Sequence, residues 1–269
     1  MAVAIQSVST NAMGTGGVIT KPTGLAVGDV LLAIVVAEET EDLAAPAGWT
    51  SVDARGTATY AKAAAFIKTA DASDVAASNF TFTGTNIRGG ILYRTTGGAI
   101  SKVGWWTSPS FIPPVGSTSH VFVFSFAGDN SGRTVTYSGY SVAGGATPVF
   151  TERLDSSEAT GLTTCFGIAD GAYNSSATLT GYGVSLSGGI DENLTALIVL
   201  PAQADGQGTN ALHSVSPTHF AQAGVAGTAG TNTLLAVSPT MLDQSGRGET
   251  PTVWTPKVKT ATTWTPEIK

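Results

Sequence analysis

The sequence predicts an all-β chain: a two-sheet, jelly-roll-like β-sandwich built from two similar halves, followed by an extended C-terminal arm. Composition is the first reason. Of 269 residues 42% are hydrophobic, only 12% are charged and 33 are Gly, a mixture that suits short strands and tight turns and leaves few residues to solvate helix faces. Turn signals are the second. Gly28-Asp29, Pro46-Ala47-Gly48, Gly97-Gly98, Gly144-Gly145 and Gly188-Gly189 punctuate the chain at intervals typical of a sandwich or barrel. The third is a repeat. Residues 28–94 and 119–200 carry the same order of features, and a repeated supersecondary unit is an architectural statement.

Each copy opens on an apolar run, Val30–Ala37 in the first and His120–Phe126 in the second. In the second, Phe122, Phe124 and Phe126 alternate with Val121, Val123 and Ser125, so both faces are apolar and the strand is central. A polar turn follows. Then Pro46–Val52 matches Tyr137–Ala143, and the Gly interrupting Tyr137 and Tyr140 marks a bulge. Ala63–Asp71 matches Thr163–Gly171. The alanines of Ala58–Asp71 also allow a helix, but Tyr60, Phe66, Ile67 and Thr69 and the repeat partner favour a strand. Asp71–Ala77 reads as a short helical turn. Phe80–Thr85, matched by Ala177–Gly183, alternates with Phe80 and Phe82 inward and Thr81 and Thr83 outward. Gly89–Thr95, matched by Leu194–Leu200, closes each copy.

The junction Ile100–Ser117 holds Trp105-Trp106, Pro109 and Pro113-Pro114 and is too apolar for a flexible linker. The expected organisation is therefore one sandwich over residues 1–201, with halves 1–100 and 101–201 feeding both sheets. A Gly/Ala/Thr-rich segment and arm follow over 202–269. There Trp254-Thr255-Pro256-Lys257 recurs as Trp264-Thr265-Pro266-Glu267. Pro251, Pro256 and Pro266 forbid a helix, and tryptophans on an arm without its own core need a partner surface. Trp254, Pro256, Trp264 and Pro266 are the expected docking residues.

Signals for chemistry are sparse. Net charge is −6 from 13 basic and 19 acidic residues, with no basic cluster to neutralise phosphates, which argues against nucleic-acid binding. The N-terminus lacks the pattern of a signal peptide, and the longest apolar run is far short of a membrane span. A soluble protein without membrane insertion, made in the cytoplasm, is the expectation. The one cysteine, Cys165, lies in an apolar strand and reads as a buried hydrophobe. His213 and His219 lack the spacing and companions of a zinc site, and His120 reads as a rim residue. Gly139-Tyr140-Ser141-Val142-Ala143 misses the last glycine of a nucleophile elbow. Glu38–Asp42 and Asp243–Glu249 are acidic but match no calcium loop. No catalytic, cofactor-binding or metal-binding residue is expected, and the chain does not read as an enzyme. Trp49 reads as core. Trp105 and Trp106, on opposite faces of an extended strand, are candidates for one core position and one interface or sugar-stacking position.

Gly28-Asp29, Pro46-Gly48-Trp49-Thr50, Lys68-Thr69-Ala70, Phe80-Thr81-Phe82-Thr83 and Ile91-Leu92-Tyr93-Arg94 occur in this order. Together they resemble a domain of tailed-phage and prophage structural proteins, over residues 20–98 closely and 118–200 loosely. The Trp-Thr-Pro-Lys/Glu repeat resembles the ends of minor tail proteins of phages of actinobacteria. The resemblance implies a virion structural protein without catalytic residues, most simply a minor tail or tail-tip component. A homo-oligomer, with a trimer favoured, other virion proteins and a host-surface glycan are the partners it implies. Capsid decoration or head-fibre protein, and carbohydrate-binding module, remain the alternative roles.

Overall fold

The computed structural model describes residues 2–38, 43–57, 59–84, 86–100, 104–106, 118–158, 163–175 and 177–203. The chain divides into two units, Met1–Gln207 and Gly208–Lys269. The second lies outside the described residues, and with it the arm, Trp254, Pro256, Trp264 and Pro266, His213, His219 and the acidic Asp243–Glu249.

In the first half the strands are β1 (Ala4–Asn11), β2 (Val18–Thr20), β3 (Val30–Glu38), β4 (Thr50–Gly56), β5 (Ala61–Thr69), β6 (Asn79–Thr81) and β7 (Ile87–Thr96). The second half contributes β8 (Gly104–Trp106), β9 (Ser119–Asp129), β10 (Tyr137–Ala143), β11 (Thr151–Glu158), β12 (Thr163–Tyr173), β13 (Gly181–Leu186) and β14 (Glu192–Leu200). One α-helix stands among the described residues, α1 (Ala72–Ala76), capped by Asp71, whose carboxylate accepts from the Ser73 and Asp74 amides. Every named strand pair is antiparallel. The chain is all-β, and no described helix is long and apolar enough to cross a membrane.

Two five-stranded sheets carry the fold, ordered β1-β7-β3-β5-β4 and β8-β14-β9-β12-β11. The orders are the same once β1 is matched to β8, β3 to β9, β4 to β11, β5 to β12 and β7 to β14. Each half thus keeps its long strands in its own sheet, where the sequence suggested that both halves feed both sheets. A local hydrophobic pattern cannot show which strands pair across distant sequence. The match of Pro46–Val52 to Tyr137–Ala143 also fails. β4 pairs with β5 in the sheet, while β10 pairs with β13 in a separate ribbon.

The register is conserved too. Val30 lies between Thr69 and Thr95, Leu32 between Ile67 and Tyr93, and Ile34 between Ala65 and Ile91. Phe122, Phe124 and Phe126 lie between Asp170 and Ile198, Ile168 and Ala196, and Phe166 and Leu194. The apolar residues among these face the space between the sheets and belong to one buried cluster, with Leu194 packed against it. Matching Phe66 with Phe166, as the sequence repeat does, is off by one. Phe66 lies on the outer face of its sheet and Phe166 on the inner, the face change that a one-residue slip brings.

The sheets face each other about a pseudo-two-fold axis. β1 lies by β11 and β4 by β8, β3 by β12 and β5 by β9. Each of these pairs turns into the other under the strand matching, which is the geometry of an isologous dimer within one chain. Polar contacts join the rims. The Thr59 and Tyr60 amides donate to Glu192 Oε2 at 2.7 and 3.0 Å, Met13 N donates to Ser156 Oγ at 3.0 Å, and Gly98 bridges Ala202.

The outer faces are covered separately. In the first half the β2-β6 ribbon, Phe82 and Trp49 cover Leu31, Ala33, Val35 and Phe66. In the second the β10-β13 ribbon covers Val121, Val123, Ala127 and Cys165. The bulge expected in β10 is present as a register shift between Ser138 and Ser141, with Gly139 at φ 59°, where a side chain would be strained.

Candidate functional site

The motif residues of the first half gather into three packing devices. Asp29 ends the turn before β3, and Arg94 lies near the end of β7. Arg94 Nε donates to Asp29 Oδ2 at 2.5 Å, and the same oxygen accepts from the Ala26 amide at 2.8 Å. Arg94 Nη1 also donates to the Thr23 carbonyl at 3.1 Å. The Gly-Asp and Tyr-Arg motifs are therefore one clasp fastening the loop before β3 to the sheet. The second device is aromatic. Pro46 O accepts from Trp49 N at 3.0 Å with Gly48 at φ 81°, as a type II turn requires at its third residue. That turn lays the half-buried Trp49 edge-on against Phe80 and Phe82, ring centroids 5.8 and 5.4 Å away. Phe82 in turn stacks on Phe66 at 5.9 Å. Lys68 binds Asp71 at 3.0 Å and Asp74 at 2.8 Å, tying β5 to α1.

The second half departs from the first at one polar cluster on its inner face. Asp170 stands where the first half has Thr69. Asp170 Oδ1 lies 2.7 Å from His120 Nε2, and Arg153 reaches Oδ2 through Nε at 2.5 Å and Oδ1 through Nη2 at 3.2 Å. Arg153 is the residue skipped at the bulge between Glu152 and Leu154. The matching bulge of β4 skips Val52, an apolar residue packed on the core. His120 is buried, not on the rim as its place at the strand start suggests, and Asp170 is only 2% exposed. Burial pushes the Asp170 carboxyl up, but the bonds from His120 and Arg153 outweigh it and hold it below the usual range. Across the sheets, burial first and the Asp170 charge second push the Tyr93 hydroxyl far above its ordinary value. Tyr93 OH and His120 Nδ1 are buried without a hydrogen-bond partner. The sequence offered one signal for this cluster, a carboxylate inside the apolar Cys165–Asp170 run; Arg153 and Tyr93 gave none.

On the outer face of β11, Glu152 and Asp155 flank Tyr140. Burial, and for Glu152 also the Asp155 charge, raises both carboxyl groups. Asp155 accepts from the Tyr137 amide at 3.1 Å. The pair is an edge charge partly covered by the β10 ribbon.

The remaining sequence candidates are placed as follows. Trp105 is 8% exposed and packs edge-on against Phe124 with centroids 5.0 Å apart. It is a core residue and offers no face for stacking a sugar. For Trp106 the structure gives its pairing with Leu197 alone. Cys165 is fully buried, and burial pushes its thiol up, away from the thiolate that reactivity needs. Of the acidic turn, Glu38 is bound by Arg88, and residues 39–42 lie outside the described residues. Among the described residues no group of three or more His, Cys, Asp or Glu is arranged to hold a metal ion. No protein-family model, curated protein or solved structure matches the chain.

Proposed function

We propose that the chain is a structural protein of a tailed-phage virion, a minor tail or tail-tip component. Its double sandwich acts as a rigid platform, and its Trp-Pro arm docks on a neighbouring subunit. The observation that supports this most is the use made of the motif residues. Asp29 and Arg94, Trp49 with Phe80 and Phe82, and Lys68 are spent on a loop clasp, an aromatic lid and a helix tie. A signature composed of packing residues suits a family whose common property is its scaffold. Symmetric homo-oligomerisation, with a trimer favoured, fits an arm that needs a neighbour's surface.

Each half, in this reading, is a jelly roll of its own. In the first half, β1 lies beside the last strand β7, β7 beside β3 and β3 beside β5. Facing them, β2 pairs with β6 and Ala44 bridges Thr83 just beyond β6. With Ala44 counted as a reduced fourth strand, first lies by last, last by third, third by sixth, and second by seventh by fourth, which supports a jelly-roll reading, while β4, the fifth strand in this count, stays with β5 in the larger sheet. The second half repeats the larger sheet and holds the fourth and seventh positions as β10 and β13.

Two experiments test the role. Gold-labelled antibody raised against residues 1–203 is expected to mark the tail tip of intact virions; label on the capsid, or none, counts against it. Deleting Gly248–Lys269 is expected to leave the sandwich folded and abolish incorporation. Normal incorporation of the truncated chain removes the arm from the proposal.

A further inference from the structure

β1 stands at an edge of its sheet without the usual protections. It is the last strand in the order β1-β7-β3-β5-β4 and is eight residues long. Ala4, Gln6 and Thr10 are exposed, and Ser7, Val8, Ser9 and Asn11 are half-buried. The chain on either side of β1 goes elsewhere. Val3 N donates to Thr118 O at 3.2 Å, and residues 12–17 turn into β2, which lies beside β1. Among the described residues, the one backbone ladder along Ala4–Asn11 is that to β7. An open edge invites another strand, and proteins guard edges with charge, bulges or short length. β4 carries Asp53 and Arg55, β11 carries Glu152, Arg153, Asp155 and Glu158, and β8 has three residues. Neither β1 nor β2 has a charged residue; the first charged side chain in the sequence is Lys21. The bulge of β1, at Gln6, leaves Ser7–Asn11 in regular register. On β2, Val18 is 50% exposed.

We propose that β1 is an interface with a second copy of this chain. The two β1 strands pair antiparallel about a two-fold axis through Ser9 and join the two first-half sheets into one. The strand fits itself in that register. A two-fold axis perpendicular to the sheet keeps each face on its own side, so residues opposite one another must share a face. Ser7 and Asn11 point to the outer face. There Ser7 Oγ donates to Thr23 O at 2.8 Å, and Asn11 Nδ2 donates to Gly16 O and Val18 O at 2.7 and 3.0 Å. Val8 packs inward on the core, and alternation sets Ser9 outward and Thr10 inward. Centred on Ser9, Ser7 lies opposite Asn11 of the second copy, Val8 opposite Thr10, and Ser9 opposite Ser9. Polar residues meet polar ones, the two β-branched residues meet each other, and no charge enters the ladder. A centre at Val8 instead sets Asn11 against Ile5, across the bulge. Pairing also brings the exposed Val18 up to the second copy's loop at Thr23, since Asn11 holds the one and Ser7 the other. The ladder is short, at the small end of protein interfaces, which suits copies held at high local concentration. It uses the N-terminal strands alone and does not depend on the arm.

The test uses the full chain. Across the axis Ser9 faces its own copy, with Cβ atoms about 4.5–5.5 Å apart, whereas Thr10 is a diagonal neighbour of its copy at about 7–8 Å. Mild oxidation is therefore expected to join Ser9→Cys into a disulfide dimer several-fold faster than Thr10→Cys, although Thr10 is the more exposed. The native Cys165 is buried and common to both. No dimer from Ser9→Cys, or equal rates from the two, overturns the site. A second pair of variants reads the axis without cysteine. Ser9→Lys and Ser9→Asp each set like charges opposite one another, and each is expected to halve the mass seen in sedimentation velocity. Mixed together they should restore it, because opposite charges then face each other. Circular dichroism confirms that each variant is folded. Folded variants that associate as the wild type does, or a mixture that stays dissociated, overturn the interface, as does a wild-type chain that sediments as a monomer throughout. If deleting Gly248–Lys269 dissolves the assembly and the Ser9 variants do not, docking by the arm stands and this site alone is wrong.

Discussion

Asp170 shows how one side chain couples three strands. It takes hydrogen bonds from His120 on β9 and Arg153 on β11 while sitting on β12, 2% exposed. Asp170→Asn leaves the Arg153 charge partly buried without a carboxylate. Removing one partner of a buried pair costs about 3–5 kcal/mol, and urea unfolding near neutral pH is expected to show a loss of this order. The pH dependence has a definite sign. Folding depresses the Asp170 pKa, so its contribution is present above the unfolded aspartate value of about 4 and is lost as pH falls through the lower folded value. The gap between wild type and Asp170→Asn should therefore close on acidification below about pH 4. A gap that persists undiminished to about pH 2 contradicts the depressed pKa. Tyr93 gives the opposite case. Its hydroxyl is buried with no partner, so Tyr93→Phe removes a desolvation cost and no hydrogen bond. Stability is expected to stay level or rise by about 1 kcal/mol; a loss above about 2 kcal/mol shows that the hydroxyl is bonded.

Among the elements, the outer ribbons depend on close approach to the sheets. Tyr137 of β10 packs over Gly167 of β12, where an added Cβ would collide with the tyrosine side chain. Gly167→Ala has no room unless the β10-β13 ribbon lifts, an overpacking cost of about 1–3 kcal/mol. Hydrogen exchange should rise first in β10 and β13, with β9 retaining its protection; equal loosening of β9 places the strain in the sheet instead. Sequence legibility divides along the same line. β3 and β9 were legible because burial on both faces leaves an unbroken apolar run, and α1 because Asp71 is a capping residue ahead of Ala72. Phe80 and Phe82 inward, with Thr81 and Thr83 outward, followed from alternation and holds. Pairing did not follow. Whether Tyr137–Ala143 joins the main sheet or a ribbon depends on β13, more than thirty residues away, and nothing local encodes that. The same limit hid the polar cluster, since His120, Arg153 and Asp170 converge only after the strand order is known.

At the scale of the whole sandwich, the duplication has a thermodynamic consequence. The inner core is shared: Leu32, Ile34, Ile67 and Ile91 of one half pack with Phe122, Phe124, Phe166 and Ile198 of the other in a single cluster. Neither sheet retains a covered inner face without its partner, so the halves should unfold together. Phe166 is the sharpest probe. It is fully buried, lies 6.2 Å from Phe124 centroid to centroid, and occupies the position that Ala65 holds in the first half. Phe166→Ala should cost about 3–5 kcal/mol. Because β3 belongs to the other half, its amides are diagnostic. If opening is global, their exchange free energies fall by the same amount as those of β9. Phe80→Ala, in the outer lid of the first half, is the control. It should loosen β2 and β6 and leave the most protected amides of β9 less affected than Phe166→Ala does. A β3 whose protection ignores Phe166→Ala would make the halves two independently folding domains, and the pseudo-two-fold interface between them a contact without cooperativity.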